Sequence, residues 1–146
     1  MTTKAKSTKN LRLQIGDGLG SETFTTIGEV IQAMSPSETA EQLEATSFDS
    51  TSKEYIAGLS DSGEMSFEVN FVGSNAQQQQ LRTDLRAGTT RNFKIIANDH
   101  ASSPTTVSFA AIIVEAPGFG GGVNAVLKGN GRLRVTGTPS WSYAPT

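Results

Sequence analysis

A strict alternation of apolar and polar residues is the feature that most constrains the fold of this chain. Large apolar and polar residues take turns over seven positions, with Met65, Phe67, Val69 and Phe71 on one side and Ser66, Glu68 and Asn70 on the other. Successive side chains of a β-strand point to opposite faces of the sheet. The pattern therefore predicts a strand whose four apolar residues face a core and whose three polar residues face away from it.

Strand-like segments separated by turn residues occur along most of the remaining chain. They cover residues 11–15, 24–34, 40–46, 91–97, 105–115, 123–128 and 132–136. The last two flank Gly129-Asn130-Gly131, which favours a hairpin. Residues 105–115 are almost continuously apolar or Thr, which predicts a strand covered on both faces, by the core or by a neighbouring subunit. Residues 47–63 are polar and rich in turn formers, and we expect them to form the longest loop.

One segment has the pattern of a helix, at about residues 75–87. Ser74 and Gln77 match a capping box, in which each side chain satisfies a free backbone N–H of the first turn. Leu81 and Leu85 lie on one helical face and should pack on the sheet. Gly88 then supplies the helix stop.

The order of these elements predicts a mainly β protein. We expect a β-sandwich or partly open barrel of two packed sheets, with one flanking helix. The chain has 146 residues, enough for about one domain. Residues 1–10 are small, polar and lysine-rich and should form a flexible N-terminal arm, so the single domain is predicted to span residues 11–146.

Composition excludes several classes of function. The net charge is −2, whereas tight nucleic-acid binding needs a basic surface. Cysteine is absent and His100 is the single histidine, so we expect no metal, no cofactor and no catalytic triad. No apolar stretch reaches the roughly 20 residues of a membrane span.

Arg132 and Arg134 lie two residues apart, on the same face of one predicted strand. There they could contact phosphate or the acids of a neighbouring subunit.

The predicted loop at residues 47–63 carries large apolar residues that it cannot bury by itself. These are Phe48, Tyr55, Ile56 and Leu59. Exposed apolar residues in a long loop usually mark a partner surface; folding back onto the chain's own sheet is the alternative. Four acids accompany them, Asp49, Glu54, Asp61 and Glu64. A solvated or partner-facing role is favoured over paired catalytic carboxylates or calcium ligands, because the spacing matches no EF-hand loop.

The same region carries a resemblance to a known family. Residues 46–71 have the sequence TSFDSTSKEYIAGLSDSGEMSFEVNF. This run resembles the tail tube proteins, or major tail proteins, of long-tailed bacteriophages with flexible tails. The resemblance continues through the predicted helix, Gly88 and the Arg-x-Phe-x-Ile pattern that begins at Arg91.

The resemblance implies a structural virion protein rather than an enzyme. Six subunits would close into a ring, and stacked rings would form the tube through which DNA passes into the host without specific binding. Tape-measure, tail-tip and tail-terminator proteins would be further partners. The protein would be located in the virion tail after assembly in the bacterial cytoplasm, without membrane contact.

The resemblance also implies roles for individual residues. The long loop would contact the adjacent ring through Phe48, Asp49, Lys53, Glu54, Tyr55, Ile56, Leu59 and Asp61. The tube lumen would be lined by Glu44, Ser66, Glu68 and Asn70. Two alternatives remain open: another tail component of similar fold, such as a tail terminator, and a carbohydrate-binding β-sandwich for adhesion. The second would use Trp141, Tyr143 and Tyr55 as a sugar platform.

Overall fold

The computed structural model describes residues 3–146, which form nine strands and one helix. In chain order the elements are β1 (Arg12–Gly16), β2 (Phe24–Thr26), β3 (Val30–Ala33), β4 (Thr39–Glu44), β5 (Tyr55–Asp61), β6 (Glu64–Asn70), α1 (Ala76–Ala87), β7 (Thr90–Ile96), β8 (Thr106–Glu115) and β9 (Lys128–Ser142). The prediction of a mainly β fold with one helix is confirmed. Within the described part, no helix has the length and apolar character needed to cross a membrane.

The strands form two antiparallel sheets. The larger sheet has seven strands in the order β2-β1-β7-β8-β9-β6-β3, and the smaller sheet is the pair β4-β5. Neighbouring strands of the larger sheet pair antiparallel throughout. The prediction of two sheets is confirmed, and the larger sheet remains an open barrel because β2 and β3 do not pair.

The larger sheet curls strongly, because its two edge strands are consecutive in the chain. Residues 27–29 alone connect β2 to β3, at opposite edges of the sheet. Ile27 donates its N–H to the Leu13 carbonyl (2.8 Å), while Glu29 accepts from the Asn70 N–H (2.8 Å). Our prediction of one strand over residues 24–34 is therefore wrong. Glu29, directly before β3, takes a left-handed conformation (φ 63°) that redirects the chain.

One face of the curled sheet forms the core. Its buried apolar residues come from six elements and the β2–β3 turn: Leu13, Ile15, Ile27, Met65, Phe67, Val69, Leu81, Phe93, Ile95, Val107, Phe109, Ala111, Ile113, Leu133 and Val135. Met65, Phe67 and Val69 lie in it, on the side predicted from the alternation. Phe71 does not: it follows the end of β6, is half-buried, and its ring centroid lies 5.1 Å from that of Phe119.

Helix α1 covers the core beside β8. Leu81 is fully buried and Leu85 packs on the core from its edge, as the helical spacing predicts. The cap differs from the predicted capping box, because Asn75, not Ser74, accepts the N–H of Gln78 (3.0 Å). Gly88 ends the helix in the left-handed conformation (φ 69°).

Strand β9 replaces the hairpin predicted around residues 129–131. Residues 128–142 run as one strand, paired with β6 on one side and β8 on the other. The glycines that suggested a turn serve close packing instead. A Cβ at Gly131 would overlap the ring of Phe67, and one at Gly129 would overlap the carbonyl of Gly118.

Gly131→Ala is expected to lower the free energy of unfolding by about 1–3 kcal/mol, since the added methyl group forces the buried Phe67 ring out of place. Urea unfolding followed by tryptophan fluorescence measures this change. Gly122→Ala is the control, because a Cβ there meets no atom within 4 Å. Equal stability of the two variants would contradict the close approach at Gly131.

Candidate functional site

The second sheet is a hairpin that stands apart from the core. Strands β4 and β5 pair antiparallel from Thr39 opposite Asp61 to Glu44 opposite Tyr55. Our prediction of one long loop over residues 47–63 is therefore wrong for Tyr55–Asp61, whereas the strand predicted at residues 40–46 is confirmed in β4. The strand character of β5 is hidden in the sequence because Gly58 and polar neighbours interrupt its apolar pattern, and its pairing with β4 supplies the missing stabilisation.

The hairpin exposes the apolar residues that sequence analysis singled out. Phe48 at the tip is completely exposed and Leu59 is 85% exposed; Leu43, Tyr55 and Ile56 are also exposed. They do not fold back onto the larger sheet. A two-stranded hairpin is marginally stable by itself in water, and clustered exposed apolar side chains usually mark a contact surface. The hairpin therefore has the properties of a segment that docks on a partner.

Hydrogen bonds order the hairpin tip. Glu54 donates its N–H to the Thr46 hydroxyl (2.9 Å), and its carboxylate accepts from the Ser50 hydroxyl (3.1 Å). Ser47 donates its N–H to the same Ser50 hydroxyl (3.0 Å). Glu54 is thus used to build the tip. Asp49 and Lys53 are exposed beside it.

The hairpin base is fixed to β9. Asp61 accepts two hydrogen bonds from Arg134 (3.0 and 3.1 Å) and one from the Gly63 N–H (2.9 Å). Ser62 donates to the Gly137 carbonyl (3.3 Å). The Gly63 N–H and the Arg134 guanidinium hold the pKa of Asp61 below its ordinary value of 3.8. The base is therefore attached to the larger sheet, and the strands beyond it stand free.

Acidification is expected to release this attachment. Because the pKa of Asp61 is lowered in the folded protein, its contribution to stability is present above pH 3.8 and is lost as the pH falls through the lowered folded value. Carbon-detected NMR titration of the Asp61 carboxyl measures the pKa. In Arg134→Gln the pKa should rise only part of the way, since the Gly63 hydrogen bond is the larger cause. An unchanged pKa in this variant would show that the Arg134 contact is absent in solution.

The face of the larger sheet opposite the core is polar and carries three of the predicted lumen residues. Ser66, Glu68 and Asn70 point away from the core, with Ser66 exposed and the other two half-buried. Glu44 is not brought to this face, because it lies in β4 of the separate hairpin. On the same face, the outward residues of β8 are partly uncovered, with Val114 36% exposed. Within one chain, β8 is therefore covered on its core side alone.

Two arginines on this polar face form ion pairs with acids of the same chain. Arg132 contacts Glu115 (2.8 Å) and Glu64 (3.3 Å), and Arg134 contacts Asp61 (3.0 Å). The hydrogen bond to Glu115 and the charge of Glu64 raise the pKa of Arg132. Sequence analysis left phosphate or a neighbouring subunit as their partners, but both arginines find acids within their own chain. The face is therefore of mixed charge.

A buried ion pair joins α1 to β7 and was missed by sequence analysis. Asp84 is 2% exposed and accepts two hydrogen bonds from Arg91 (2.9 and 3.0 Å) and one from Gln80 (2.8 Å). Asp84 follows the buried Leu81 by three residues and so lies on the same helical face. This three-residue spacing is the sequence feature from which a buried position for Asp84 could have been predicted.

The remaining candidate residues, His100, Trp141 and Tyr143, take part in contacts within the chain. The His100 ring Nδ1 accepts the backbone N–H groups of Ser102 and Ser103 (3.3 and 3.0 Å), which closes a loop. Trp141 and Tyr143 stack on each other, with ring centroids 5.8 Å apart and planes inclined by 12°. Each ring thus covers a face that a sugar would use. Among the described residues, no group of three His, Cys, Asp or Glu side chains is placed to hold a metal ion.

Comparison with protein families decides the affiliation of the chain. The protein-family model for the lambda phage tail tube protein matches residues 13–118, which include the hairpin, the helix and strands β1 to β8. The chain belongs to the lambda phage tail tube protein family. Strand β9 lies beyond the matched residues, although it is central in the sheet. No curated protein matches the sequence.

Solved structures with the same fold come from tail-like assemblies. The tail of an empty gene transfer agent particle, refined with C6 symmetry, has 22% identity and a TM-score of 0.75 over 94% of this chain and 99% of the other. A chain of the six-fold symmetrised baseplate of the anti-feeding prophage has 19% identity and a TM-score of 0.72 over 98% of both chains. The SPP1 tail tube has 12% identity and a TM-score of 0.58 over 92% and 77%. At these identities the likeness concerns the fold alone.

Proposed function

We propose that this chain builds a phage tail tube as hexameric rings that stack into a hollow cylinder. The match of the tail tube family model to residues 13–118 carries the proposal. The C6 symmetry of the gene transfer agent tail, which has the same fold, supports rings of six. The function is structural and needs neither catalysis nor a cofactor.

Ring stacking is assigned to the β4–β5 hairpin. Its apolar residues Phe48, Tyr55, Ile56 and Leu59 would be buried against the adjacent ring, and Asp49, Lys53 and Glu54 would form a polar rim around them. Such a contact joins different surfaces of identical subunits and does not close on itself, so it generates a filament. Asp61, which was also expected at the inter-ring contact, pairs with Arg134 at the hairpin base.

The polar face of the larger sheet is assigned to the lumen. Ser66, Glu68 and Asn70 would face the DNA there, together with Arg132 and Arg134. Free arginines would bind phosphates and retain the DNA. Their pairing with Glu64, Glu115 and Asp61 satisfies their charge within the wall. Glu44 belongs to the hairpin surface in this arrangement rather than to the sheet face.

The tube implies further partners and a location. Tape-measure, tail-tip and tail-terminator proteins would start, measure and end the stack, and assembly would take place in the bacterial cytoplasm before the tail joins the virion. We assign residues 11–146 to one tail-tube domain. Residues 3–10 carry no helix or strand and are exposed, which fits a flexible arm for the segment 1–10; residues 1 and 2 lie outside the described part.

Negative-stain electron microscopy of the purified chain, with and without tail-initiation components, tests the proposal. Rings with a central pore or hollow tubes of six-fold symmetry are the expected result. A field of single small particles under both conditions, even at high protein concentration, would overturn it.

A further inference from the structure

The N-terminal segment, residues 3–12, is basic and makes no ion pair. It contains Lys4, Lys6, Lys9 and Arg12, and no acid occurs before Asp17. All four cationic side chains are exposed. Among the residues that the structure describes, the ion pairs involve Arg91, Arg132 and Arg134 instead. This segment therefore presents four charges that its own chain leaves to the solvent.

The hairpin region, residues 38–61, has the opposite charge. Six of the 14 acids and one of the 12 basic residues of the chain fall in it. The six acids are Glu38, Glu41, Glu44, Asp49, Glu54 and Asp61, and all are exposed. The hairpin thus combines uncovered apolar side chains with an excess of negative charge. A surface that receives it should be apolar at its centre and positive at its rim.

A groove beside β3 has both properties. One wall consists of Thr8, Lys9, Asn10 and Leu11, and the other is β3. Ile31 in the β3 wall is 45% exposed, so apolar surface is accessible there, and Met34, just after β3 and outside the groove, is 68% exposed. Strand β3 is an edge of the larger sheet, and its outer backbone groups have no strand partner. The basic N-terminal segment adjoins this apolar edge.

A second exposed apolar region fits less well. Phe119, Val123, Val126 and Leu127 are exposed in the connection between β8 and β9. Residues 116–127 contain no charged side chain, so this connection offers nothing to the acids of the hairpin. Charge complementarity therefore favours the groove.

We propose that the hairpin of one subunit docks in the groove between the N-terminal segment and β3 of a second copy of this chain. The proposal rests on the proposed tube, in which identical subunits need a donor surface and a different acceptor surface. Exposed ion pairs are weak singly, but each ring would repeat the contact six times. Lys4, Lys6 and Lys9 would neutralise hairpin acids around the buried apolar residues. Growth of the tube should therefore weaken as salt is added.

Site-specific crosslinking tests the contact. The chain has no cysteine, so Lys9→Cys combined with Asp49→Cys creates a unique pair for a short bismaleimide. A ladder of covalent oligomers, at least tenfold stronger than in the control pair Arg86→Cys with Asp49→Cys, is expected. Arg86 is exposed at the end of α1 and does not line the groove. Equal ladders in both pairs, or none in either, would overturn the proposal.

Charge reversal tests whether the acidic hairpin and the basic N-terminal segment attract each other. Glu41→Lys with Glu44→Lys is expected to reduce the pelleted tube fraction at least tenfold. Adding Lys6→Glu with Lys9→Glu should restore at least half of it. The control addition, Arg86→Glu with Lys128→Glu, restores the same net charge elsewhere and should restore nothing. Rescue by both additions would show that net charge alone governs assembly.

Different results would contradict the proposed tube and the proposed contact between hairpin and groove. If the wild-type chain forms no ring or tube with initiation components, the proposed function fails, and the crosslinking ladder still decides whether hairpin and groove meet. If wild-type tubes form but crosslinking is absent and charge reversal has no effect, the tube stands and this contact is wrong.

Discussion

A chain with Ile56→Ser and Leu59→Ser is expected to stay folded and to form no tubes. Both side chains are more than half exposed in the single chain, so removing them leaves its core intact. In a ring-to-ring contact each would be buried, which is worth about 1.5–3 kcal/mol per side chain. Losing both weakens each contact by roughly 10²–10⁴-fold. Sedimentation of assembled material and electron microscopy measure the loss.

Two controls separate this effect from misfolding and from a general loss of surface hydrophobicity. The thermal unfolding midpoint of the soluble chain should stay near that of the wild type. Leu19→Ser with Val123→Ser also removes two exposed apolar side chains, from other loops, and should leave tube formation intact. Normal tubes from the hairpin variant would show that ring stacking uses another surface.

Asp84→Ala is expected to cause the largest loss of stability of any single substitution considered. It removes the partner of Arg91, whose side chain is 16% exposed, and so leaves a largely buried guanidinium uncompensated. Breaking a buried ion pair by removing one member typically costs about 3–5 kcal/mol. Gln80 also loses its acceptor. Urea unfolding measures the free energy directly.

The exposed pair at the hairpin base is the matched control. Arg134→Ala breaks an ion pair whose side chains are 42% and 58% exposed and should cost far less stability than Asp84→Ala, because solvent screens an exposed pair. The double variant Asp84→Leu with Arg91→Leu should be more stable than Asp84→Ala, because no buried charge is left alone. The prediction would fail if Asp84→Ala and Arg134→Ala were equally mild.

Local patterns decided the elements that the sequence predicted correctly. The alternation at residues 65–69 fixes which face of β6 is buried, because a period of two determines it wherever the strand pairs. The helix follows from its apolar spacing and the left-handed stop at Gly88. The run at residues 46–71 indicates the family through its residues alone. These features depend on neighbours within a few residues, and the sequence displays such neighbours directly.

Features that depend on distant residues are decided by the tertiary structure. Gly131 looks like a turn residue in isolation, but it lies in a long strand that pairs with β6, and the Phe67 ring occupies the space of its missing side chain. Residues 24–34 split into two strands because the chain crosses at residues 27–29 from one edge of the curled sheet to the other. Strand β5 exists through pairing with β4.

The candidate site also has features that the local sequence determines and features that distant residues determine. The sequence by itself determined that Phe48, Tyr55, Ile56 and Leu59 lie in a segment unable to bury them, since composition alone sets that limit. The tertiary structure alone decided which acids meet which arginines. Arg134 is 73 residues from Asp61, and the pairing of β6 with β9, which sets Glu64 opposite Arg134, brings the two within 3.0 Å. Ion pairs between distant segments depend on which strands pair and in which register, and that pairing is a property of the whole packed chain.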